Sequence, residues 1–143
     1  MTSEPAEGVT RLRVRYGETD QMGFVYHPNY LVWCEIGRTE LMRDLGFAYA
    51  DIERTGVRLA VAEASLRYAR AALYDDSIRV VTRISAVQSR TITFSYEVFR
   101  EHAAGSELLA TVQTRLIAID ESGVPKRLPQ DILERFRDSA TAS

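Results

Sequence analysis

A single change of rhythm constrains this chain more than any other feature. Between residues 28 and 45 apolar side chains recur every three or four positions; beyond Gly56 they recur every two, with no helical stretch between the later segments. The first spacing is that of an amphipathic helix and the second that of half-buried strands. Successive parallel strands need a crossover of a dozen or more residues, usually a helix. None fits here, so the later strands are predicted to run antiparallel. One helix with a wide apolar stripe must then cover them, which is best achieved if the sheet curls around it. The expected class is α+β: a curved antiparallel sheet of five to six strands wrapped around one long central helix.

In the helix, Tyr30, Cys34, Gly37, Leu41 and Leu45 form the inward face, and Leu31, Trp33, Ile36 and Met42 widen it. Pro28 suits a first helical position, where its missing N–H costs nothing. Glu35/Arg38 and Glu40/Arg43 can support the polar side as i,i+3 pairs, and Gly46 fits a stop. A first strand is predicted over 9–16, where Val9, Arg11, Arg13 and Arg15 share one parity and Leu12, Val14 and Tyr16 the other. Residues 17–27 read as a loop, 48–54 as a short helix, and 60–68, 78–85, 91–98 and 108–119 as strands. The connections at 75–76, 88–89 and 102–106 are short enough to join antiparallel neighbours. A terminal helix is expected over 129–137. The polar ends, 2–8 and 138–143, are expected to fray, leaving one domain with an ordered core of about residues 9–137.

Composition narrows the function classes. Eighteen basic residues are dispersed among twenty acidic ones for a net charge of −2, which excludes the basic footprint of a nucleic-acid binder. A lone cysteine, Cys34, forbids an intrachain disulfide and suits a reducing compartment. The first eight residues are polar and acidic, unlike a secretory leader, and no apolar run approaches the roughly 18 residues of a membrane span. The expectation is a cytoplasmic protein without membrane insertion. Two histidines and one cysteine, far apart, make no metal site, and nothing calls for a cofactor.

The stretch 16–38, YGETDQMGFVYHPNYLVWCEIGR, carries a specific pattern: Thr19-Asp20, Gly23 three residues on, Tyr26, His27, and then Asn29-Tyr30 at the helix start. It resembles the signature of the 4-hydroxybenzoyl-CoA thioesterase family, particularly the acyl-CoA thioesterase branch associated with the Tol-Pal cluster. Residues 68–76, YARAALYDD, are similar to that family's second block, with Ala71 where the family usually has proline. The resemblance implies the hotdog fold, with subunits paired edge to edge into dimers, often tetramers. It also implies an active site between subunits, where acyl-CoA threads toward the helix N-terminus.

On this reading Asp20 supplies the carboxylate, either attacking the thioester carbonyl to form a mixed anhydride or activating water as a general base. Taken alone, Asp20 would be an ordinary turn residue. The developing oxyanion needs donors, which the unpaired amides of a helix start can provide. Pro28 has no N–H, leaving His27 or Asn29, and the family pattern favours His27. The His27 imidazole is a candidate to contact substrate, to hydrogen-bond Asp20 or to cap the helix. Tyr26 is expected to shape the acyl pocket, whose depth depends on how Tyr26, Trp33 and Phe47 pack; Tyr16 and Trp33 read as core or pocket-wall residues, and Asn29 is expected to contact substrate. Glu63 interrupts a strand that the family sets beside the site across the dimer interface; otherwise it is an exposed strand residue. Arg90, and also Arg70, Lys126 or Arg127, could meet CoA phosphates. Cys34 reads as a packed small hydrophobe, and His102 as a hairpin residue without a role. Two other readings stand beside acyl-CoA hydrolysis: a hydratase-dehydratase of the same fold acting on acyl-CoA or acyl-carrier protein, and a non-catalytic acyl-CoA-binding protein.

Overall fold

In the computed structural model, which describes residues 6–140, the elements run β1 (Glu7–Arg13), α1 (Asn29–Asp44), α2 (Tyr49–Glu53), β2 (Arg58–Tyr68), β3 (Ser77–Val87), β4 (Thr91–His102), β5 (Gly105–Ile119) and α3 (Gln130–Ser139). The first strand stops at Arg13, three residues short of the predicted end, and a 3-10 turn, Tyr16–Glu18, takes its last expected residue and the start of the expected loop. The five strands form one antiparallel sheet in the order β1-β3-β4-β5-β2. The expected α+β class holds.

Only β3, β4 and β5 form a meander. The short connection at 75–76 does not join neighbours as predicted, because β2 pairs with β5 at one edge while β3 lies between β1 and β4. Residues 69–76 therefore cross the end of the sheet. The sequence pattern reported strand lengths but not adjacency, since period two is the same for any neighbour. This crossing carries Ala72 and Leu73 to the start of α1, where they meet the loop ahead of it.

Helix α1 lies against β1, β3 and β4. Tyr30, Trp33, Cys34, Gly37, Leu41 and Met42 are buried as anticipated, but Ile36 is 42% exposed and belongs to the outer face. Arg38 does not pair with Glu35; its Nη1 donates to the Tyr96 hydroxyl at 3.2 Å, and that hydroxyl shares a 2.6 Å bond with Thr114. Glu40 and Arg43 do pair. A core of Ile78, Val80, Ile84, Ile92, Phe94, Val98, Leu109 and Leu116 faces the helix. Phe47 belongs to this core, 5.0 Å from Phe136 of α3.

β2 is an edge strand, and its middle, residues 61–65, is exposed on both faces beside a register shift between Val61 and Glu63. The expectation of frayed ends fails in part. Glu7 and Gly8 pair with Arg83 and Thr82, the Ala6 N–H donates to the Ser139 carbonyl at 3.0 Å, and Ala140 bridges to Ile84. Each end braces the other. Residues 2–5 and 141–143 lie outside the described residues. Among those described, no helix is long and apolar enough to cross a membrane.

Candidate active site

The site is assembled where β1 leaves the sheet. After Arg13, Val14 remains tied to the crossing segment, donating to Asp76 O and accepting from Asp75 N–H. The chain then turns through Tyr16–Glu18 and closes a tight loop at Asp20. The Asp20 N–H donates to Phe24 O at 2.7 Å, and its Oδ1 accepts from the Met22 and Phe24 amides at 2.9 and 3.2 Å. Gly23 supplies the positive φ of 84° that this turn requires. Asp20 is thus a turn residue after all, but only through one oxygen. Its Oδ2 has no partner among the described residues, and the residue lines a groove with Tyr16, Thr19, Gln21, Tyr26 and Asn29.

The start of α1 decides which amide is free. Three i→i+3 bonds tighten it: Asn29 N–H to Tyr26 O at 3.0 Å, Tyr30 N–H to His27 O at 3.3 Å and Leu31 N–H to Pro28 O at 3.1 Å. Upstream, Val25 N–H donates to Ala72 O at 2.9 Å and Tyr26 N–H to Glu18 O at 2.7 Å. Asn29 is therefore spent and Pro28 has nothing to give, so His27 alone keeps an unpaired amide in this turn. Because the 26–27 peptide is trans, its N–H points opposite to the Tyr26 carbonyl, which is directed at Asn29. It projects ahead of a 16-residue helix, whose dipole adds to its field.

The imidazole of His27 takes another direction. It neither caps the helix nor bonds Asp20; it stands edge-on to Tyr26 at 5.0 Å and to Tyr68 at 6.3 Å. It lines a second groove of 310 Å³ with Phe24, Tyr30, Tyr68, Arg70 and Ala71. The Tyr68 hydroxyl donates to the His27 carbonyl at 3.2 Å. Tyr26, 54% exposed, stands between the two grooves. Asn29 is held by the protein itself, its Nδ2 donating to Glu18 O at 2.9 Å.

Glu63 and Arg90 do not join this cluster within one chain. Glu63 is exposed on β2 and pairs with Arg115 at 2.8 Å, which holds its carboxyl below the usual range. Arg90 sits in the β3–β4 turn, its carbonyl bonded to Ala118, whereas the site end of β5 is at Leu109. Nine residues of strand separate them, roughly 30 Å at about 3.3 Å per residue. Lys126 bonds at the same far end and Arg127 is adjacent to it. Of the basic candidates only Arg70 stands at a groove of the site, and it is paired with Glu107 at 3.1 Å. Cys34 is buried, and burial pushes its thiol up to about 12, against a small opposing pull from Arg38.

Sequence reasoning missed Glu18. Its side chain is buried, accepting from the Arg15 N–H at 2.8 Å and the Trp33 indole N–H at 2.9 Å. The available signal was Trp33 itself, since an indole on the inward face needs an acceptor.

A model of the thioesterase-like superfamily matches residues 14–136, which takes in both grooves and four of the five strands, β2 to β5. The chain belongs to the thioesterase-like superfamily. The chain is similar to YneP of Bacillus subtilis (strain 168), which carries the provisional name acyl-CoA thioesterase; it is 38% identical over 114 residues, covering 80% of this chain and 81% of YneP. The acyl-CoA thioesterase YbgC of Haemophilus influenzae is 32% identical over 126 residues, covering 87% and 90% of the two chains. Among solved structures, a DHNA-CoA thioesterase from Staphylococcus aureus superposes with a TM-score of 0.85 at 33% identity, covering 92% of this chain and 89% of that one. The thioesterase-like sheet wrapped around α1 is accordingly a hotdog fold.

Proposed function

We propose that this protein is an acyl-CoA thioester hydrolase that uses Asp20 as its carboxylate and the His27 backbone N–H as its oxyanion donor. The observation that carries the reading is the unpaired His27 amide, projecting from the start of α1 between Tyr26 and Asn29, both of which also line the Asp20 groove. The names of the curated relatives support the substrate class. With the thioester carbonyl oxygen on that amide, the partnerless Oδ2 of Asp20 either attacks the carbonyl carbon or takes a proton from the water that does. The C–S bond then breaks, CoA leaves as thiolate, and water supplies the second oxygen of the carboxylic acid.

Hydration or dehydration at the same place is less well supported, because it needs the Asp20 and His27 side chains on one substrate and they line separate grooves. A binding protein without activity is less well supported, because the curated relatives carry the names of thioesterases. We further propose a single catalytic domain acting in the cytoplasm as a homo-oligomer with shared sites, a reading supported by the unpaired edge of β2. Glu63 and Arg90 would contribute only in such an assembly, from a neighbouring subunit. Whether the carrier is CoA or acyl-carrier protein, and the Tol-Pal association, belong to the same proposal.

The test is free-thiol release from straight-chain and aryl acyl-CoAs. Asp20→Asn is expected to lose at least 100-fold in kcat with folding intact, as removal of a general acid-base group costs about 10²–10⁴. His27→Ala, which keeps the backbone N–H, is expected to retain more than about a tenth of kcat. Full activity in Asp20→Asn would overturn the assignment.

A further inference from the structure

Glu18 is the only charged side chain buried among the described residues, 6% exposed, and the catalytic reading gives it no chemistry. An acid is costly to bury, and a well-packed apolar residue in its place is often no less stable. Its bonds show what the carboxylate accomplishes. Oε1 accepts from the Arg15 amide, at the point where the chain leaves β1. Oε2 accepts from the Trp33 indole, inside α1. The carbonyl of the same residue accepts twice, from the Tyr26 N–H at 2.7 Å and from Asn29 Nδ2 at 2.9 Å. The Arg15 guanidinium lies 3.6 Å from Oε2 but is 79% exposed, so water screens most of its pull.

Asn29 and Trp33 are four residues apart and share a helix face, one above the other. Glu18 therefore grips α1 at two points about one turn, ~5.4 Å, apart, which restrains both the sliding and the rotation of the helix against the loop. Through Tyr26 it also grips the peptide next to the His27 amide. Asp20 is only two residues further along the same loop. We propose that Glu18 is a positioning residue, whose carboxylate and carbonyl together set the separation between the Asp20 carboxylate and the His27 amide. This rests on the roles given to Asp20 and His27 above. Misplacement of reacting groups by about 1 Å can cost on the order of 100-fold in rate, so the effect belongs in kcat and not in KM.

Two variants break the bonds differently. Trp33→Phe removes the indole N–H and keeps a ring in the core. Glu18→Gln keeps the shape but turns an amide NH2 toward one of two donors, Arg15 N–H or Trp33 Nε1–H. With hexanoyl-CoA and benzoyl-CoA as probes, well below the melting temperature of each protein, kcat is expected to fall about 10- to 100-fold while KM stays within about threefold. The same substitutions made in Asp20→Asn are expected to lower its residual rate by less than about twofold, because the separation no longer matters once the carboxylate is gone. If Glu18→Gln does not fold, Trp33→Phe decides alone. Wild-type kcat in a folded variant overturns the proposal, and so does a loss carried undiminished into the Asp20→Asn background. A fully active Asp20→Asn protein overturns the catalytic reading itself, and this proposal with it; an inactive one beside fully active Glu18 and Trp33 variants overturns only the positioning role.

Discussion

At Gly37 the helix passes so close to the sheet that there is no room for a side chain. A Cβ built there would stand 2.6 Å from Thr82 Oγ1 and 3.3 Å from Val80 Cγ1, both buried and neither at the end of a flexible chain. Gly37→Ala is expected to destabilise by about 1–3 kcal/mol through overpacking, read as a lower urea midpoint with an unchanged slope. Wild-type stability would mean that α1 shifts freely on the sheet. Position 37 was legible as inward-facing from its spacing with Cys34 and Leu41, because helical period reports direction. Ile36 and Arg38, its neighbours, were not. Their place depends on how far the sheet curls, and on a buried Tyr96 hydroxyl that Arg38 can reach. The same distinction applies in the site. Asp20 and Gly23 were readable as a turn, whereas the role of Glu18 depends on Trp33, fifteen residues away, and no local pattern reports such a bond.

Among the strands, β2 has the least company, paired only with β5. It is an 11-residue edge strand with Val61 54% and Tyr68 45% exposed. Unpaired edges of this length invite pairing with another chain. Val61→Lys, which puts a charge on that edge, is expected to weaken self-association by at least tenfold in sedimentation and to lower activity per chain on dilution. Unaltered association would show that β2 is not the contact. The strand was visible in sequence as an alternation, but its position at the edge was not, because period two is the same for any neighbour. The connection before β3, residues 69–76, is longer than the two to five residues of a hairpin loop, as its run across the sheet end requires. The helix start was predicted within one residue, since Pro28 marks it; the i→i+3 bonds that leave only the His27 amide unpaired follow from tertiary placement of Tyr26 on Glu18 and needed the fold.

For the molecule as a whole, acid is the informative variable. Burial raises the Glu18 carboxyl, but hydrogen bonds from the Arg15 amide and the Trp33 indole, with the Arg15 charge, outweigh it and leave the group below its usual value. Arg100, through a hydrogen bond and its charge, does the same for Glu107 at the site end of the sheet. A carboxyl depressed in the folded state binds fewer protons there than in the unfolded chain. Its stabilisation is complete above the unfolded value, near 4.3, and is lost as pH falls through the folded one. Urea midpoints are therefore expected to be flat from about pH 7 to 5 and to drop below about pH 4. Glu18→Gln should reduce that drop; an identical acid limb in the variant would remove Glu18 from its cause.

The crossing segment has a further consequence, in time. Val25 is bonded to Ala72, Val14 to Asp75 and Asp76, and Phe24 bridges to Leu73. The loop bearing Asp20 thus has no resting place until residues some fifty positions later have been laid across the sheet. A nascent chain exposes the whole catalytic block early yet cannot close it, since distant contacts must wait for their loops to be drawn in. Competence arrives with the last stages of sheet assembly, and it should be lost first when the crossing opens: the amides of Val25 and Asp75 would exchange with solvent together, ahead of the strands behind them.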